Sequence, residues 1–141
     1  MENVKLIRFA VKALILNGNK FLAMRRSAEK SPKFELPGGG MEFGETAEET
    51  VIREVFEETG LTVAPVKLVD TWNYVTQTLQ ITGIIYLCVA ENPNNVILSA
   101  EHDRYEWMDA NAESFEKINR LFRPQMLKWD WNELFVMAER K

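Results

Sequence analysis

The sequence predicts a mixed β-sheet flanked by helices, an α+β or α/β sandwich. Strand-like apolar runs stand before and after one uninterrupted helical segment between Thr46 and Gly60, and further helical segments follow the last of these runs. The chain has 141 residues and contains no internal repeat, low-complexity tract or linker. We therefore expect a single domain over residues 1–141, long enough to bury a core.

The first elements are predicted to be two strands joined by a tight turn. Val, Ile, Leu and Phe dominate residues 4–16 and favour a long strand, and residues 20–26 return as a second strand. Between them, Asn17-Gly18-Asn19 favours a turn because Asn and Gly tolerate positive φ. Residues 27–33 are polar and contain Pro32, which predicts an exposed loop. Residues 34–36 form a short extended piece that leads to Pro37 and three glycines.

A helix is predicted between Thr46 and Gly60. Thr46 and the acidic residues beside it suit a helix N-terminus, and Gly60 is a natural C-terminal stop. At roughly 100° per residue, four apolar residues fall on one arc that we expect to face the core, namely Val51, Ile52, Val55 and Phe56. Three carboxylates are expected on the opposite arc, namely Glu54, Glu57 and Glu58.

The second half of the chain is predicted to hold two long strands and then helices. Residues 62–75 are extended, with Pro65 favouring an edge position, and residues 79–90 form the most hydrophobic strand. Residues 91–95 are a turn, and residues 96–99 and 105–108 are short apolar pieces. Asp109 is expected to cap a helix that runs to about Leu121. Pro124 is expected in the first turn of a last helix that ends near Lys141.

Composition excludes several classes of protein. The net charge of −4 argues against stable nucleic-acid binding, which needs a basic face. Cys88 is the only cysteine, so no internal disulfide can form, and its apolar neighbours predict a buried side chain. No run approaches the roughly 20 apolar residues of a membrane span, and the uncharged run 13–16 is too short for a signal peptide. We expect a cytoplasmic protein without a membrane partner.

The acidic face of the predicted helix indicates a metal site. Three neighbouring glutamates on one face repel each other by a few tenths of a kcal/mol per pair, which a divalent cation would offset. Oxygen ligands without His or Cys favour Mg²⁺ or Mn²⁺ over zinc, and Mg²⁺ usually completes its shell with water and substrate phosphate. The glycines at residues 38–40 would let backbone approach that metal and phosphate closely.

The same stretch resembles a known family. Its residues match every fixed position of the Nudix box, G-x5-E-x7-R-E-U-x-E-E-x-G-U with U aliphatic, at Gly39, Glu45, Arg53-Glu54-Val55, Glu57-Glu58 and Gly60-Leu61. So many fixed positions within residues 39–61 make the signal highly specific. The resemblance implies the Nudix α/β/α sandwich, with a mixed β-sheet and a catalytic loop–helix–loop. It also implies metal-dependent hydrolysis of a nucleoside diphosphate linked to another moiety.

The resemblance further implies roles for single residues. Glu54, Glu57 and Glu58 correspond to metal ligands of the family, with the backbone carbonyl of Gly38 as a further ligand. Arg53 resembles the arginine that orients the glutamates, and Glu45 would anchor the loop–helix junction. Many members add an acidic residue from a later loop, as ligand or general base. Glu101 is the candidate here, ahead of Asp103, so the general base is open between Glu101 and a box glutamate.

Candidates for binding a nucleotide-type substrate lie outside the helix. Arg25 and Arg26 end a strand near the glycines and are candidates for phosphate binding, although alternation would turn one of them to solvent. Gly39 and Gly40 would admit phosphate, and Phe34 is a candidate for stacking on a base. His102, the only histidine, is expected to be an exposed or hydrogen-bonded loop residue.

Two further questions stay open at the level of sequence. Nudix-like domains also act as non-catalytic ligand sensors, but those commonly carry eroded boxes, whereas the box here is complete. Many members are homodimers, and no residue pattern here tests that expectation. The box predicts which bond is broken, a phosphoanhydride, and does not identify the groups on either side of it.

Overall fold

β1 (Leu6–Asn17) is the central strand of the sheet in the computed structural model, which describes residues 4–27 and 31–140. The other strands are β2 (Lys20–Arg25), β3 (Gly38–Gly40), β4 (Val63–Val75), β5 (Leu79–Ala90) and β6 (Arg104–Asp109). The helices are α1 (Ala47–Thr59), α2 (Ala112–Phe115), α3 (Arg123–Met126) and α4 (Trp131–Glu139). Part of the predicted loop 27–33, at residues 28–30, and the predicted helix end at Lys141 lie outside the described residues.

The sheet is mixed, as predicted. Its order is β4-β5-β1-β2-β6, with β3 also paired to β1. β1 runs parallel to β5 and antiparallel to β2 and β3. Pro65 lies in the edge strand β4, next to a shift in the β4–β5 register, so its missing N–H costs no central hydrogen bond.

The opening between β1 and β2 positions the glycines. The two strands pair only near their turn, where Leu16 lies opposite Phe21, and they diverge beyond it. Residues 34–40 enter this opening, because Glu35 pairs with Met24 of β2 while Gly38 pairs with Lys12 of β1. The glycine segment is therefore held between two strands rather than on an exposed loop.

Helices cover both faces of the sheet, which confirms the predicted sandwich. Alternate residues of β1 feed two separate cores: Ala10, Leu14 and Leu16 join one, and Val11, Ala13 and Ile15 join the other. The first core contains residues of α2, α3 and α4, and the second contains Val51 and Val55 of α1. Cys88 lies in the second core, where burial raises the pKa of its thiol to about 12, so the prediction of a buried cysteine is confirmed.

Helix α1 begins and ends where the sequence predicts. Thr46 is its N-cap and forms a capping box with Glu49, and Gly60 closes it at a φ of 73°. The predicted core arc is only half right, because Val51 and Val55 are fully buried whereas Ile52 and Phe56 are 39% and 58% exposed.

The buried side of α1 includes Glu58 in place of two of the predicted apolar residues. Glu58 was expected on the face away from the core, but it is only 8% exposed. Its carboxylate accepts a hydrogen bond from the backbone N–H of Gly38, at 2.9 Å between Gly38 N and Glu58 Oε1. A polar partner in the glycine segment therefore replaces apolar contact on this side of the helix, and Ile52 and Phe56 are left at the surface.

The C-terminal region differs from the prediction. Asp109 ends β6 rather than capping a helix, and Asn111 caps a single short turn, α2, by accepting a hydrogen bond from the N–H of Ser114. The predicted last helix is divided into α3 and α4, because Asp130 provides a new N-cap whose side chain accepts from the N–H of Glu133. Within the described residues, no helix combines the length and apolar character needed to cross a membrane.

The capping box of α1 gives a stability prediction. We expect Thr46→Ala to lower the free energy of unfolding by about 1 kcal/mol, because the hydroxyl that accepts from the N–H of Glu49 is lost. Urea denaturation measures the difference. Thr62→Ala is the control, since Thr62 is an exposed threonine just beyond the helix and should be nearly neutral. Equal effects of the two substitutions would contradict a stabilising role for the cap.

Candidate active site

A cavity of about 500 Å³ opens beside the glycine segment. One wall consists of Gly38, Gly39 and Gly40 with the carboxylates of Glu54, Glu58 and Glu101. Cations from two strand regions also line it, namely Arg8, Lys12 and Arg26. Its remaining side is largely apolar and includes Phe9, Trp72, Tyr74, Ile81, Leu121 and Phe122, together with Asn119. Acidic, basic and aromatic surfaces therefore meet in one space.

The glycines bring the backbone against α1. Gly38 has a φ of 136°, and a Cβ there would collide with the backbone of Val11, so no other residue fits without strain. Gly39 lies directly against the carboxylate of Glu54, and a Cβ at Gly39 would occupy the position of that carboxylate. The absence of a side chain therefore lets Gly38 lie close to β1 and lets the Glu54 carboxylate approach the backbone at Gly39.

Arg53 connects the box residues to one another. Its Nε donates to Glu45 Oε2 at 2.6 Å, and its Nη2 donates to Glu45 Oε1 and to the carbonyl of Gly40, both at 3.0 Å. Its Nη1 donates to Glu54 Oε2 at 3.2 Å and to Glu57 Oε1 at 3.1 Å. One guanidinium thus fixes the end of the glycine segment, the start of the helix and two glutamates.

The carboxylates have different electrostatic environments. The hydrogen bond from Arg53 lowers the pKa of Glu45 to about 2. Burial raises the pKa of Glu58 to about 7, and the positive charge of Lys12 and the Gly38 N–H act against that rise. Burial also raises the pKa of Glu54, and the neighbouring Glu57 and Glu101 add to the effect. The site therefore concentrates negative charge that a bound cation would relieve.

A partly buried pair holds the loop that carries Glu101. His102 Nε2 lies 3.0 Å from Glu35 Oε2, and the His102 side chain is only 1% exposed. On the other side of Glu101's loop, Asp103 pairs with Arg25, at 3.1 Å between Arg25 Nε and Asp103 Oδ1. The hydrogen-bonded alternative predicted for His102 is thus observed, and the loop is attached to the glycine lead-in at Glu35.

The predicted site residues are not all brought together. Gly38, Gly39, Gly40, Glu54, Glu58, Glu101 and Arg26 line the cavity. Three others lie beside it: Arg53 and Glu57 are joined on the outer side of α1, with Glu57 55% exposed, and Arg25 is paired with Asp103. Phe34 is 5% exposed and belongs to the core, where its ring lies under the Arg25 guanidinium. The Phe34 ring is therefore buried in the core and is not available to stack on a base.

Sequence reasoning missed several residues of the cavity. Lys12, Glu35, Asn119 and Arg8 were not singled out, although all of them line it. Lys12 could have been found, because it occupies an inward position of β1 between Ala10 and Leu14, where an apolar residue is expected. Asn119 gave no such signal, since it lies in a turn region that the sequence predicted as helix.

The carboxylates alone do not form a closed metal site. Across residues 4–27 and 31–140, no three His, Cys, Asp or Glu side chains are grouped so that they could hold a metal ion. Glu57 is bound to Arg53, and Glu58 is bound to the Gly38 N–H. The donors are nevertheless of one kind, carboxylate oxygens next to the Gly38 backbone, and this set fits a hard divalent cation that brings its own water.

The partly buried Glu35–His102 pair gives a prediction about acid stability. Burial alone would raise the pKa of Glu35, but His102, Lys12 and Arg26 outweigh it and lower the pKa from 4.5 to about 2. The carboxylate therefore stabilises the fold above pH 4.5, and this contribution is lost as the pH falls toward 2. We expect Glu35→Gln to cost roughly 2–3 kcal/mol at neutral pH and progressively less on acidification.

Urea denaturation of both proteins from about pH 6 to about pH 3 tests this expectation. Glu113→Gln is the control, because Glu113 is an exposed helix residue without an ion pair among the described residues. A difference between wild type and Glu35→Gln that stays constant with pH would contradict the assignment.

Known proteins resemble this chain in sequence and in fold. It is 31% identical over 121 residues to the 8-oxo-dGTP diphosphatase of Escherichia coli K12, covering 82% of this chain and 92% of that protein. Over a shorter stretch of 53 residues it is 49% identical to the ADP-ribose pyrophosphatase of Methanocaldococcus jannaschii, covering 37% of this chain and 31% of that one. The crystal structure of a MutT protein from Methanosarcina mazei Go1 superposes with a TM-score of 0.73 at 31% identity, covering 97% and 98% of the two chains.

The family model of the NUDIX domain matches residues 6–130, nearly the whole described chain. The match contains the complete box, the mixed sheet and the cavity between them. Two of the relatives named above are a diphosphatase and a pyrophosphatase. The chain therefore belongs to the Nudix hydrolase family, as the box predicted, and is a Nudix pyrophosphohydrolase.

Proposed function

We propose that the chain hydrolyses a phosphoanhydride bond in a nucleoside diphosphate linked to another moiety, with Mg²⁺ or Mn²⁺ as cofactor. One observation carries the proposal. The carboxylates of a complete Nudix box share a cavity with a cationic edge and an aromatic side. A diphosphate with its metal ion needs the carboxylates and the cationic edge, and a nucleoside base is suited to the aromatic side.

The metal would be held by oxygen atoms of the box and of the later loop. We propose Glu54, Glu57 and Glu58 as carboxylate ligands, with the Gly38 carbonyl as a further ligand and Glu101 as a ligand only if it does not serve as the general base. The fit rests on the shared oxygen chemistry and on the space at Gly39, which lets the Glu54 carboxylate lie against the backbone. Glu57 would have to exchange part of its contact with Arg53 for the cation, which its exposure permits.

When bound, the cation neutralises the diphosphate and makes a bound water more acidic. The chain's own residues supply the rest. Arg53 orients Glu54 and Glu57 through its two Nη1 hydrogen bonds. We propose Glu101 as the general base, because among the described residues it is the cavity carboxylate without an ion-pair partner or a hydrogen bond to its side chain. Arg26 lies at the cavity, where its guanidinium can bind a phosphate oxygen.

A nucleoside triphosphate is the preferred substrate class. The similarity to the E. coli 8-oxo-dGTP diphosphatase extends over 82% of this chain, whereas that to the ADP-ribose pyrophosphatase extends over 37%. ADP-ribose is the alternative substrate, because the second relative is an ADP-ribose pyrophosphatase. A cytoplasmic location and assembly into a homodimer stay predictions.

A substrate panel tests the proposal. Wild type with Mg²⁺ or Mn²⁺ is incubated with 8-oxo-dGTP, the common nucleoside triphosphates, ADP-ribose and nucleotide sugars, and the products are identified by chromatography. We expect metal-dependent release of a nucleoside monophosphate from at least one of them. Tight binding of a nucleotide without any hydrolysis would instead support the non-catalytic sensor.

The box carboxylates give a sharper prediction. We expect Glu58→Gln and Glu57→Gln to lower kcat/KM by roughly 100-fold or more, because each removes a charged oxygen that would hold the cation. Glu48→Gln is the matched control, since Glu48 is an exposed glutamate of the same helix that does not line the cavity. Steady-state kinetics on the best substrate measures all three variants. Turnover by Glu58→Gln at the rate of the control would rule out the assigned role.

A further inference from the structure

Lys12 is a buried cation in the middle of the central strand. Lys12 is 8% exposed, and its side chain lies on the same face of β1 as the core residues Ala10 and Leu14. Burying an ammonium group is costly unless the charge is fully paired and hydrogen-bonded. A lysine at this position therefore calls for an explanation from its surroundings.

The contacts of Lys12 leave hydrogen-bonding capacity unused. Its Nζ donates to Glu35 Oε1 and to the Gly38 carbonyl, and both distances are 3.4 Å, at the long end for a hydrogen bond. An ammonium has three donors, so one is left without a partner among the described residues. Neither of the two contacts has the short distance of a charge-assisted bond, which is typically below 3 Å.

Pairing with Glu35 does not account for Lys12. The Glu35 carboxylate already has a closer partner in His102, at 3.0 Å, and a second cation in Arg26, at 3.4 Å. Glu35 would therefore stay compensated without Lys12. The ammonium of Lys12 is therefore available to bind an anion in the cavity.

Lys12 stands where the acidic and aromatic surfaces of the cavity meet. On one side are the Gly38 carbonyl and Glu58, whose pKa is raised by burial and lowered in part by the charge of Lys12. On the other side, Nζ lies 5.9 Å from the centre of the Trp72 ring and 6.0 Å from that of Phe122. A nucleotide with its diphosphate at the carboxylates and its base at the aromatic side would have its first phosphate beside this ammonium.

We propose that Lys12 is a substrate-binding residue whose ammonium donates to a non-bridging oxygen of the phosphate next to the nucleoside. The inference rests on the proposed function for the orientation of the nucleotide. It assigns to β1, outside the Nudix box, a fixed cation next to the carboxylates that would hold the metal. Lysine binds phosphate as a point charge and suits a site that approaches one oxygen.

The experiment compares wild type with Lys12→Met, which keeps the length of the side chain and removes its charge. Isothermal calorimetry of the metal-free protein measures binding of GMP and AMP, with guanosine and adenosine as ligands that lack the phosphate. Lys20→Met is the matched control, because it removes an exposed ammonium that pairs with Asp109 away from the cavity.

We expect Lys12→Met to weaken binding of the monophosphates about tenfold or more and to leave nucleoside binding unchanged. A purely structural lysine would instead weaken the binding of monophosphates and nucleosides alike, because a disturbed cavity would lose affinity for both.

Unchanged monophosphate binding or an equal loss for nucleosides would overturn the proposal. If Lys12→Met does not fold, as judged by circular dichroism, Lys12→Gln replaces it with the same expected results. The substrate panel separates the two proposals. A wild type that hydrolyses nothing removes the proposed function, whereas hydrolysis by wild type with normal GMP binding by Lys12→Met removes the role of Lys12 alone.

Discussion

Mutual repulsion of carboxylates is the constraint on which this structure depends. Glu54, Glu57 and Glu58 lie on neighbouring turns of α1, and Glu101 approaches them from a separate loop. They are kept together by a small number of opposing contacts: the guanidinium of Arg53, the N–H of Gly38 and the nearby charge of Lys12. The fixed positions of the box therefore form one electrostatic unit rather than a set of independent ligands.

The sheet serves this unit through the opening between β1 and β2. Because the two strands diverge, residues 34–40 can pair with both, and Gly38 reaches α1 from within the sheet. The same segment supplies Glu35, which binds His102 and so attaches the loop of Glu101. Three parts of the chain that are distant in sequence are thus joined by buried polar contacts at one edge of the opening.

The sequence predicts the elements that have local signals and misses those set by long-range contacts. Thr46 and Gly60 mark α1 correctly because capping depends on neighbouring residues. Ile52 and Phe56 were placed in the core wrongly, since helix periodicity cannot reveal that the Gly38 N–H draws Glu58 inward. The division between α3 and α4 was missed because Asp130 competes as a cap within an otherwise helical segment. In the site, the box residues were readable from spacing, whereas Glu35 and Asn119 reach the cavity only through tertiary packing.

The difference between local spacing and long-range packing also explains why the reaction is easier to infer than the substrate. Apart from Glu101, the residues that would hold the cation on the phosphoanhydride lie within residues 38–58, and their spacing is fixed by one helix and one turn. The surfaces that would meet a base come from three other parts of the chain, with Tyr74 and Ile81 from the β4–β5 pair and Asn119 from the turn after α2. None of these residues belongs to α1 or to the glycine segment, so substitutions there leave the spacing of the box carboxylates unchanged. Substitutions on the surfaces that meet the base can therefore change which nucleotide is bound while the same phosphoanhydride bond is hydrolysed.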